Sequence, residues 1–369
     1  MIKILVLVFN DIKTDSRIMR TANTLSECDD FEVEVIGFGD KIASTKYKSV
    51  VLNTKYTGGI KRYLAFLCEL SKYLKNNHYD YLIANDFYSA VPVLRHRKKF
   101  KKIIYDAHEL YIPNALSKMG LKSYIFYRLE KAALRKADGI ICAQHERAVI
   151  METHYKLLRT PTVVQNISKL DECNKKLPDD LENELNAFFK KNDITIVYAG
   201  KVRPDSKVEE LLDLLEYNGK PYNVLIVGGG ESLDSMKHNA LQYKNINVFF
   251  TGALPFEMMG TVLKQCGIAY MYYPVSDLNN KYCAPNKLYE YASIGLPTVC
   301  NENPTIKELY ENWGIGVCDS NIIKAIDVCS EKVEEYKQNC YKFNEVFTWD
   351  KEKKKLLEYC LEVFDESIS

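Results

Sequence analysis

Residues 284–299, APNKLYEYASIGLPTV, read as a loop, a short helix and a Gly-Pro turn into a strand. Pro285 suits the first turn of a helix, where its missing N–H leaves no bond unmade. Asn286, Lys287, Leu288 and Glu290 then occupy the first turns, and Gly295-Leu296-Pro297 stops the helix. A helix start offers free N–H groups and a partial positive charge, which suits an anion such as a diphosphate. Lys287 adds a full charge, and Glu290 is placed to accept hydrogen bonds from sugar hydroxyls. A diphosphate site beside a hydroxyl-binding acid fits a nucleotide-sugar. The same window also reads as an ordinary amphipathic helix with a surface Lys and Glu, and these residues alone do not separate the two.

Outward from this window, short apolar runs alternate with helical patterns. The N-terminal runs are Ile2–Phe9, Val33–Phe38, Tyr81–Ala84, Ile103–Asp106, Gly139–Ala143 and Thr162–Gln165. Helical spacing covers Ser16–Ser26, Gly59–Asn76, Tyr88–Arg97, Leu121–Lys136 and His145–Tyr155. The alternation breaks over the polar residues 168–192 and resumes with Ile194–Ala199, Val224–Val227, Val248–Thr251, Ile268–Tyr272, Thr298–Cys300 and Gly316–Cys318. This predicts an α/β chain of two Rossmann-like, doubly wound domains, each a parallel sheet covered by helices. The expected boundaries are 1–168 and 169–345, followed by a polar helical segment 346–369. Open parallel sheets bind ligands outside the carboxyl ends of their strands. Two such domains facing each other would line a cleft, so the residues just after each strand carry the most information.

A chain of 369 residues accommodates two cores, and 47% hydrophobic with 27% charged residues is ordinary for a soluble globular protein. A net charge of +1 supplies no global field that would select nucleic acid. The eleven cysteines are odd in number and show no zinc or disulfide-framework spacing, which suggests reduced thiols and the cytosol. The N-terminal MIKILVLVFND has too short an apolar run for a signal peptide and reads as a buried strand. No run approaches a membrane span.

At the strand ends, Gly200 permits a tight turn, and Lys201, Arg203 and Lys207 follow it as cations able to stabilise a leaving phosphate. A solvated basic loop has the same composition. Gly228-Gly229-Gly230 frees the backbone to approach a phosphate or base, yet lacks the last glycine of the dinucleotide fingerprint. In the first half, His108 ends a strand between Asp106 and Glu109, where it could donate a hydrogen bond or shuttle a proton. Asp86 reads either as a ligand for acceptor hydroxyls or as a helix cap. Asn10, Asp11 and Arg17 read as capping and surface residues. Arg95, Arg97, Lys98, Lys99, Lys101 and Lys102 form the densest basic block, suited to an anionic membrane surface or to a charged loop. Tyr124, Phe126 and Tyr127 beside Lys118, Lys122, Arg128 and Lys131 suit an interfacial helix or a core helix equally.

With these pieces in order, the chain resembles the retaining family-4 glycosyltransferases of GT-B fold, also called glycosyl transferases group 1. The resemblance spans nearly the whole chain and rests on YAGKVRPDSK, VGGG and APNKLYEYASIGLPTV, with YDAHEL and EKAALRKADGIICAQHE in the first half. It implies transfer of a sugar from a nucleoside diphosphate donor, a UDP- or GDP-sugar, to an acceptor hydroxyl with retained configuration. The implied catalytic set is His108, Lys201, Lys207 and Glu290. Lys201 and Lys207 would grip the diphosphate, Glu290 the ribose hydroxyls, and His108 would lie near the transferred sugar. Asn286 and Lys287 would line the donor. Neither a metal nor a further cofactor is implied. Phe347-Thr348-Trp349-Asp350 resembles the segment that crosses back onto the first domain. The family's setting implies surface polysaccharide or glycolipid assembly, in the cytoplasm or on the inner membrane face.

Three positions depart from the pattern. Tyr282 stands where many members carry a first glutamate, FNDIKTDSR replaces a glycine-rich loop after the first strand, and Lys201 replaces a frequent Arg. Two other readings therefore stay open: a non-catalytic nucleotide-sugar-binding partner protein, and a nucleotide-sugar epimerase of the same shape.

Overall fold

A computed structural model describes residues 1–13, 15–40, 46–112, 120–189 and 194–365. The chain divides into two compact units, Met1–Asn166 with Trp349–Ser369, and Ile167–Thr348. The first break thus falls two residues before the expected boundary at 168, and the last helix starts at Trp349 rather than 346.

Unit one holds β1 (Ile2–Asp11), β2 (Phe31–Phe38), β3 (Lys48–Val51), β4 (Tyr81–Asn85), β5 (Lys102–Ala107), β6 (Gly139–Cys142) and β7 (Thr162–Val163). They form a parallel sheet in the order β3-β2-β1-β4-β5-β6-β7. Unit two holds β8 (Thr195–Ala199), β9 (Tyr222–Val227), β10 (Ile246–Gly252), β11 (Ile268–Met271), β12 (Thr298–Cys300) and β13 (Gly316–Cys318). Its order is β10-β9-β8-β11-β12-β13, again parallel. Both are doubly wound, and the order reverses between β1 and β4 and between β8 and β11. Connections leave such neighbouring strands toward opposite faces, which opens a crevice at their carboxyl ends.

The strands are apolar because helices cover both faces of each sheet. Ile4, Leu5, Val6, Leu7 and Val8 of β1 are all buried, as is every residue of β8 and β9. Edge strand β3 escaped the sequence reading because KSVV is short, half polar and only partly buried. The polar stretch after 168 contains the helix Asp179–Phe189, and the segment after 321 divides into helices Ile322–Glu331, Val333–Val346 and Trp349–Phe364.

The last of these helices is part of the unit-one core. Phe364 stacks on Tyr81 with ring centroids 4.0 Å apart and planes within 3°. The Tyr81 hydroxyl donates to the Phe364 carbonyl at 3.0 Å, and the Ile140 N–H donates to the Tyr359 hydroxyl at 2.8 Å. Leu356 and Cys360 are buried among the residues of β1 and β2. All eleven cysteines are free thiols.

Phe364→Ala should therefore cost unit one about 3 kcal/mol or more, the usual range for removing a buried ring. Exposed Leu361→Ala on the same helix should cost less than about 0.5 kcal/mol. Urea unfolding of the two variants tests this, and equal small losses would show that the helix is not integral to the unit.

Candidate active site

The crevice of unit two is built from the loop after β8 and the helix Asn286–Ser293. No side chain caps the helix start, which follows Pro285; the Asn286 N–H donates to Ala284 O and the Leu288 N–H to Pro285 O, each at 2.9 Å. Lys287 on its first turn reaches back under the β8 loop. Its ammonium lies 4.9 Å from the centroid of the Tyr198 ring, and a Cβ placed on Gly200 would collide with it. The Tyr291 hydroxyl donates to the Ala199 carbonyl at 3.4 Å, fastening the same helix to the end of β8. Burial pushes the Lys287 amine down to about 8, with Arg203 assisting and Glu290 opposing. A lysine placed this way is a cation short of counter-charge. Asn286 contributes a buried Oδ1 with no hydrogen-bond partner among the described residues.

Glu290, one turn on, accepts from the Ser168 hydroxyl at 2.6 Å through Oε1. The Ser293 hydroxyl accepts from the Leu170 N–H at 2.8 Å, so residues 168–170 are pinned along this helix. Lys207 has a left-handed backbone (φ 55°) and opens the helix Val208–Asn218, whose start also lacks a side-chain cap. Its ammonium pairs with Glu210 at 2.9 Å on the surface, and Arg203 pairs with Asp205 at 3.2 Å. Lys201 is exposed and has no side-chain partner among the described residues.

The three glycines after β9 have different roles. A Cβ on Gly228 would strike the Gly200 carbonyl, and one on Gly230 the Val202 carbonyl. The chain runs alongside itself here, with the Gly200 N–H donating to Val227 O at 2.8 Å and the Val202 N–H to Gly229 O at 3.0 Å. Packing alone demands Gly228 and Gly230. Gly229 meets nothing nearer than the Ala253 Cβ at 4.0 Å, so it is the member of the triad with room beside it.

In unit one the strand ends collect a different set. Arg17 is buried, not a surface residue as its helix suggested. Its Nε and Nη2 donate to the two carboxylate oxygens of Asp106 at 2.8 and 2.7 Å, and Nη1 donates to Val164 O at 3.0 Å. The sequence reading missed this pair because residues 17 and 106 meet only through the pairing of β1, β4 and β5; no local pattern announces it. Asn10 donates to Asp15, and Asp11 accepts from the Lys13 N–H with its carboxylate lying against Gly39.

His108 presents Nε2 to Asn85 Oδ1 at 3.2 Å and to Asp106 Oδ2 at 3.6 Å. Burial alone would depress the imidazole, but the Asp106 hydrogen bond and charge outweigh it and hold the ring above its ordinary value. Asp86 caps nothing: its side chain makes no capping bond to the turn that follows. It sits at φ 60°, ψ 172°, a region that glycine occupies almost alone and that costs a non-glycine residue about 1–3 kcal/mol. Its Oδ1 is buried without a hydrogen-bond partner among the described residues, while Oδ2 accepts from the Tyr111 hydroxyl at 3.4 Å. Burial pushes this carboxyl above the usual range despite the nearby His108. Glu130, also overlooked in sequence, is buried with its carboxyl pushed up to about 8, held by the hydroxyls of Tyr155 and Tyr105.

The basic block is partly structural. Arg97 grips Asp138 at 2.9 Å and the carbonyls of Phe100 and Lys136, Lys99 donates to Leu74 O, and Lys101 pairs with Asp80. Arg95, Lys98 and Lys102 have no side-chain partner among the described residues. On the helix Leu121–Leu134, Tyr127 is buried and Phe126 packs edge-on to Phe87, whereas Leu121, Tyr124 and Ile125 are exposed. Lys118 lies outside the described residues, as does the side chain of Lys122. Among the described residues no helix is long and apolar enough to cross a membrane, and no His, Cys, Asp and Glu cluster could hold a metal ion.

Two Rossmann-like units of this design define the GT-B class of glycosyltransferases. The family model for glycosyl transferases group 1 matches residues 181–342, and that for glycosyltransferase family 4 matches residues 16–166. Together they take in both units, and the chain belongs to the group 1, family 4 glycosyltransferases. It is 26% identical over 209 residues to the O-antigen biosynthesis glycosyltransferase WbnH of Escherichia coli, a match covering 54% of this chain and 56% of that protein. The matched segment thus spans about half the length of this curated relative. Among solved structures, sucrose-phosphate synthase from Thermosynechococcus elongatus superposes with a TM-score of 0.77 at 13% identity, covering 99% of both chains. Anabaena HepE, solved with UDP and glucose, gives 0.71 at 15% identity over 98% of this chain and 100% of that one. At these identities the two structures speak for the fold alone.

The glycine roles are separable by experiment. Gly228→Ala and Gly230→Ala should each lose about 1–3 kcal/mol, the cost of forcing atoms into a packed backbone contact. Gly229→Ala should unfold at nearly the parent urea concentration. A Gly229→Ala variant as unstable as the other two would remove the distinction.

Proposed function

We propose that this protein transfers a sugar from a nucleoside diphosphate donor, with UDP- and GDP-sugars the candidates, to an acceptor hydroxyl with retention of configuration. The reading extends to surface glycan assembly, supported by the Escherichia coli relative, which is named for O-antigen biosynthesis. The observation that carries it is the convergence in unit two: an uncapped helix start, the underpaired Lys287 and the Gly200–Lys207 loop all meet at the β8/β11 crevice. A helix start without a side-chain cap and a buried cation at a switch point suit a diphosphate.

The barrier in such a transfer is departure of the diphosphate, whose charge grows as the glycosidic bond breaks. Donors aimed at that charge lower the barrier more than they tighten ground-state binding. Lys201 has a side chain free to take this role, and Lys207 needs only to exchange its exposed Glu210 partner for a phosphate oxygen. Glu290 binds ribose hydroxyls, its Ser168 contact holding the carboxylate in place. The departing phosphate oxygen accepts the acceptor's proton on the same face, so no side-chain nucleophile is used. These chain groups supply the charge that a metal ion provides in other transferases. On the acceptor side we assign Asp86, whose unpartnered Oδ1 suits a sugar hydroxyl. Any contact with an anionic membrane falls to Arg95, Lys98 and Lys102 rather than to the cations already engaged in the fold.

Thermal-shift screening against nucleoside diphosphates and their sugars identifies the donor, and failure of every diphosphate to raise the melting temperature would overturn the reading. Lys207→Ala and Glu290→Ala should remain folded and lose on the order of 10²-fold or more in turnover. Donor binding without transfer or donor hydrolysis in the parent protein would instead favour the non-catalytic partner reading.

Lys287 adds a pH signature. A bound diphosphate favours its charged form, so binding near pH 8 should take up protons, and affinity should fall as pH rises past about 8. Titration calorimetry in two buffers of different ionisation enthalpy measures this uptake. Its absence at pH 8, together with full binding, would remove Lys287 from the site.

A further inference from the structure

We propose that Asn85, Asp106 and Arg17 act as positioning residues for His108, dictating that Nε2 carries the imidazole proton and leaving Nδ1 as the nitrogen that meets a ligand. The argument begins at Asn85, which is fully buried. Its Nδ2 donates to Leu7 O at 3.1 Å and to Ile83 O at 3.3 Å. With the amide nitrogen committed to two carbonyls, the atom turned toward His108 Nε2 at 3.2 Å is Oδ1, an acceptor only. The second atom facing Nε2 is Asp106 Oδ2, at 3.6 Å.

Asp106 cannot serve as a donor. Arg17 holds both of its oxygens, and although burial alone would raise the carboxyl, that guanidinium keeps it far below the usual range. Two acceptors on one ring nitrogen require that nitrogen to be N–H. The ring cannot trade faces by moving its backbone, because Arg147 Nη1 donates to the His108 carbonyl at 2.8 Å.

The consequence lies at Nδ1, for which no partner occurs among the described residues. When the ring is neutral, Nδ1 accepts; when it is charged, Nδ1–H is a charge-assisted donor. The charged groups facing the ring are Asp106 from β5, Asp86 from the turn after β4 and Arg17 from the helix Ser16–Leu25. The two carboxylates favour the imidazolium, while burial and Arg17 oppose it, and the balance lies on the charged side of an ordinary histidine. Arg17 therefore acts through Asp106 in two ways: it keeps that carboxylate ionised and shares its charge. That Nδ1 meets the transferred sugar rests on the glycosyl-transfer reading; the location of the proton does not.

The test is a 15N-histidine long-range correlation titration of the full-length protein, with His108→Gln to assign the signal. In the parent, the neutral ring should be the Nε2–H form and should titrate above an ordinary histidine. In Asp106→Asn the midpoint should move to lower pH, and in Asn85→Ala the Nε2–H form should lose its dominance. A neutral parent ring protonated on Nδ1 would overturn the proposal, as would a folded Asp106→Asn variant with the parent's midpoint. Should Asp106→Asn fail to fold, Asn85→Ala decides: an unchanged tautomer there overturns it too. Rescue of Nε2–H dominance in Asn85→Gln, but not Asn85→Ala, would support the role of the amide oxygen. Correct proton placement in a protein that transfers no sugar would sink the transferase reading and leave this one standing.

Discussion

Parallel strands cannot be joined by a tight turn, and each pair requires a crossover that returns the chain to the same end of the sheet. Every strand pairing in both sheets is parallel, so all strand carboxyl ends of one unit share an edge. Residues far apart in the chain therefore gather there without any local signal. In unit one that edge collects Asn85, Asp86, Asp106 and His108; in unit two it collects Gly200, Val202 and Gly228–Gly230. Polar side chains gather at these edges because the central strands are otherwise largely buried on both faces among apolar residues.

The two edges handle charge in opposite ways. In unit one the cation is engaged internally: each of the three guanidinium nitrogens of Arg17 donates to Asp106 or to Val164 O. What remains outward is a histidine whose proton is placed by buried neighbours. In unit two Lys207 and Arg203 have only exposed acidic partners, Glu210 and Asp205, and Lys287 is buried. Lys287 rests against the Tyr198 ring, and burial lowers its pKa against the opposing charge of Glu290. Under the proposed reading, a bound diphosphate would supply counter-charge to this ammonium. Strain is distributed in the same spirit, since Asp86 keeps a backbone conformation nearly reserved for glycine while its Oδ1 has no partner among the described residues.

Close backbone contact is the other recurring theme at the unit-two edge. The loops after β8 and β9 lie so near each other that two glycines serve packing before any ligand is considered. A glycine run after a strand thus has two explanations that coexist within three residues, and only the neighbours of each Cα tell them apart. The same holds for the basic block before β5, where a dense run of cations divides into those that hold the fold and those that remain available.

The two doubly wound units were legible in the amino-acid order because helix and buried-strand periodicities are local, and each apolar run needed only its own residues to be recognised. The helix start at Asn286, with Pro285 before it and Gly295 after it, was legible for the same reason. Strand β3 was not, since a short edge strand buries too little to carry a hydrophobic signature. The Arg17–Asp106 pair, the proton placement on His108, the strained Asp86 and the separate duties of Gly228, Gly229 and Gly230 were decided by tertiary structure alone. Each depends on which strands are neighbours, and strand order in a parallel sheet is a long-range choice that no local window contains.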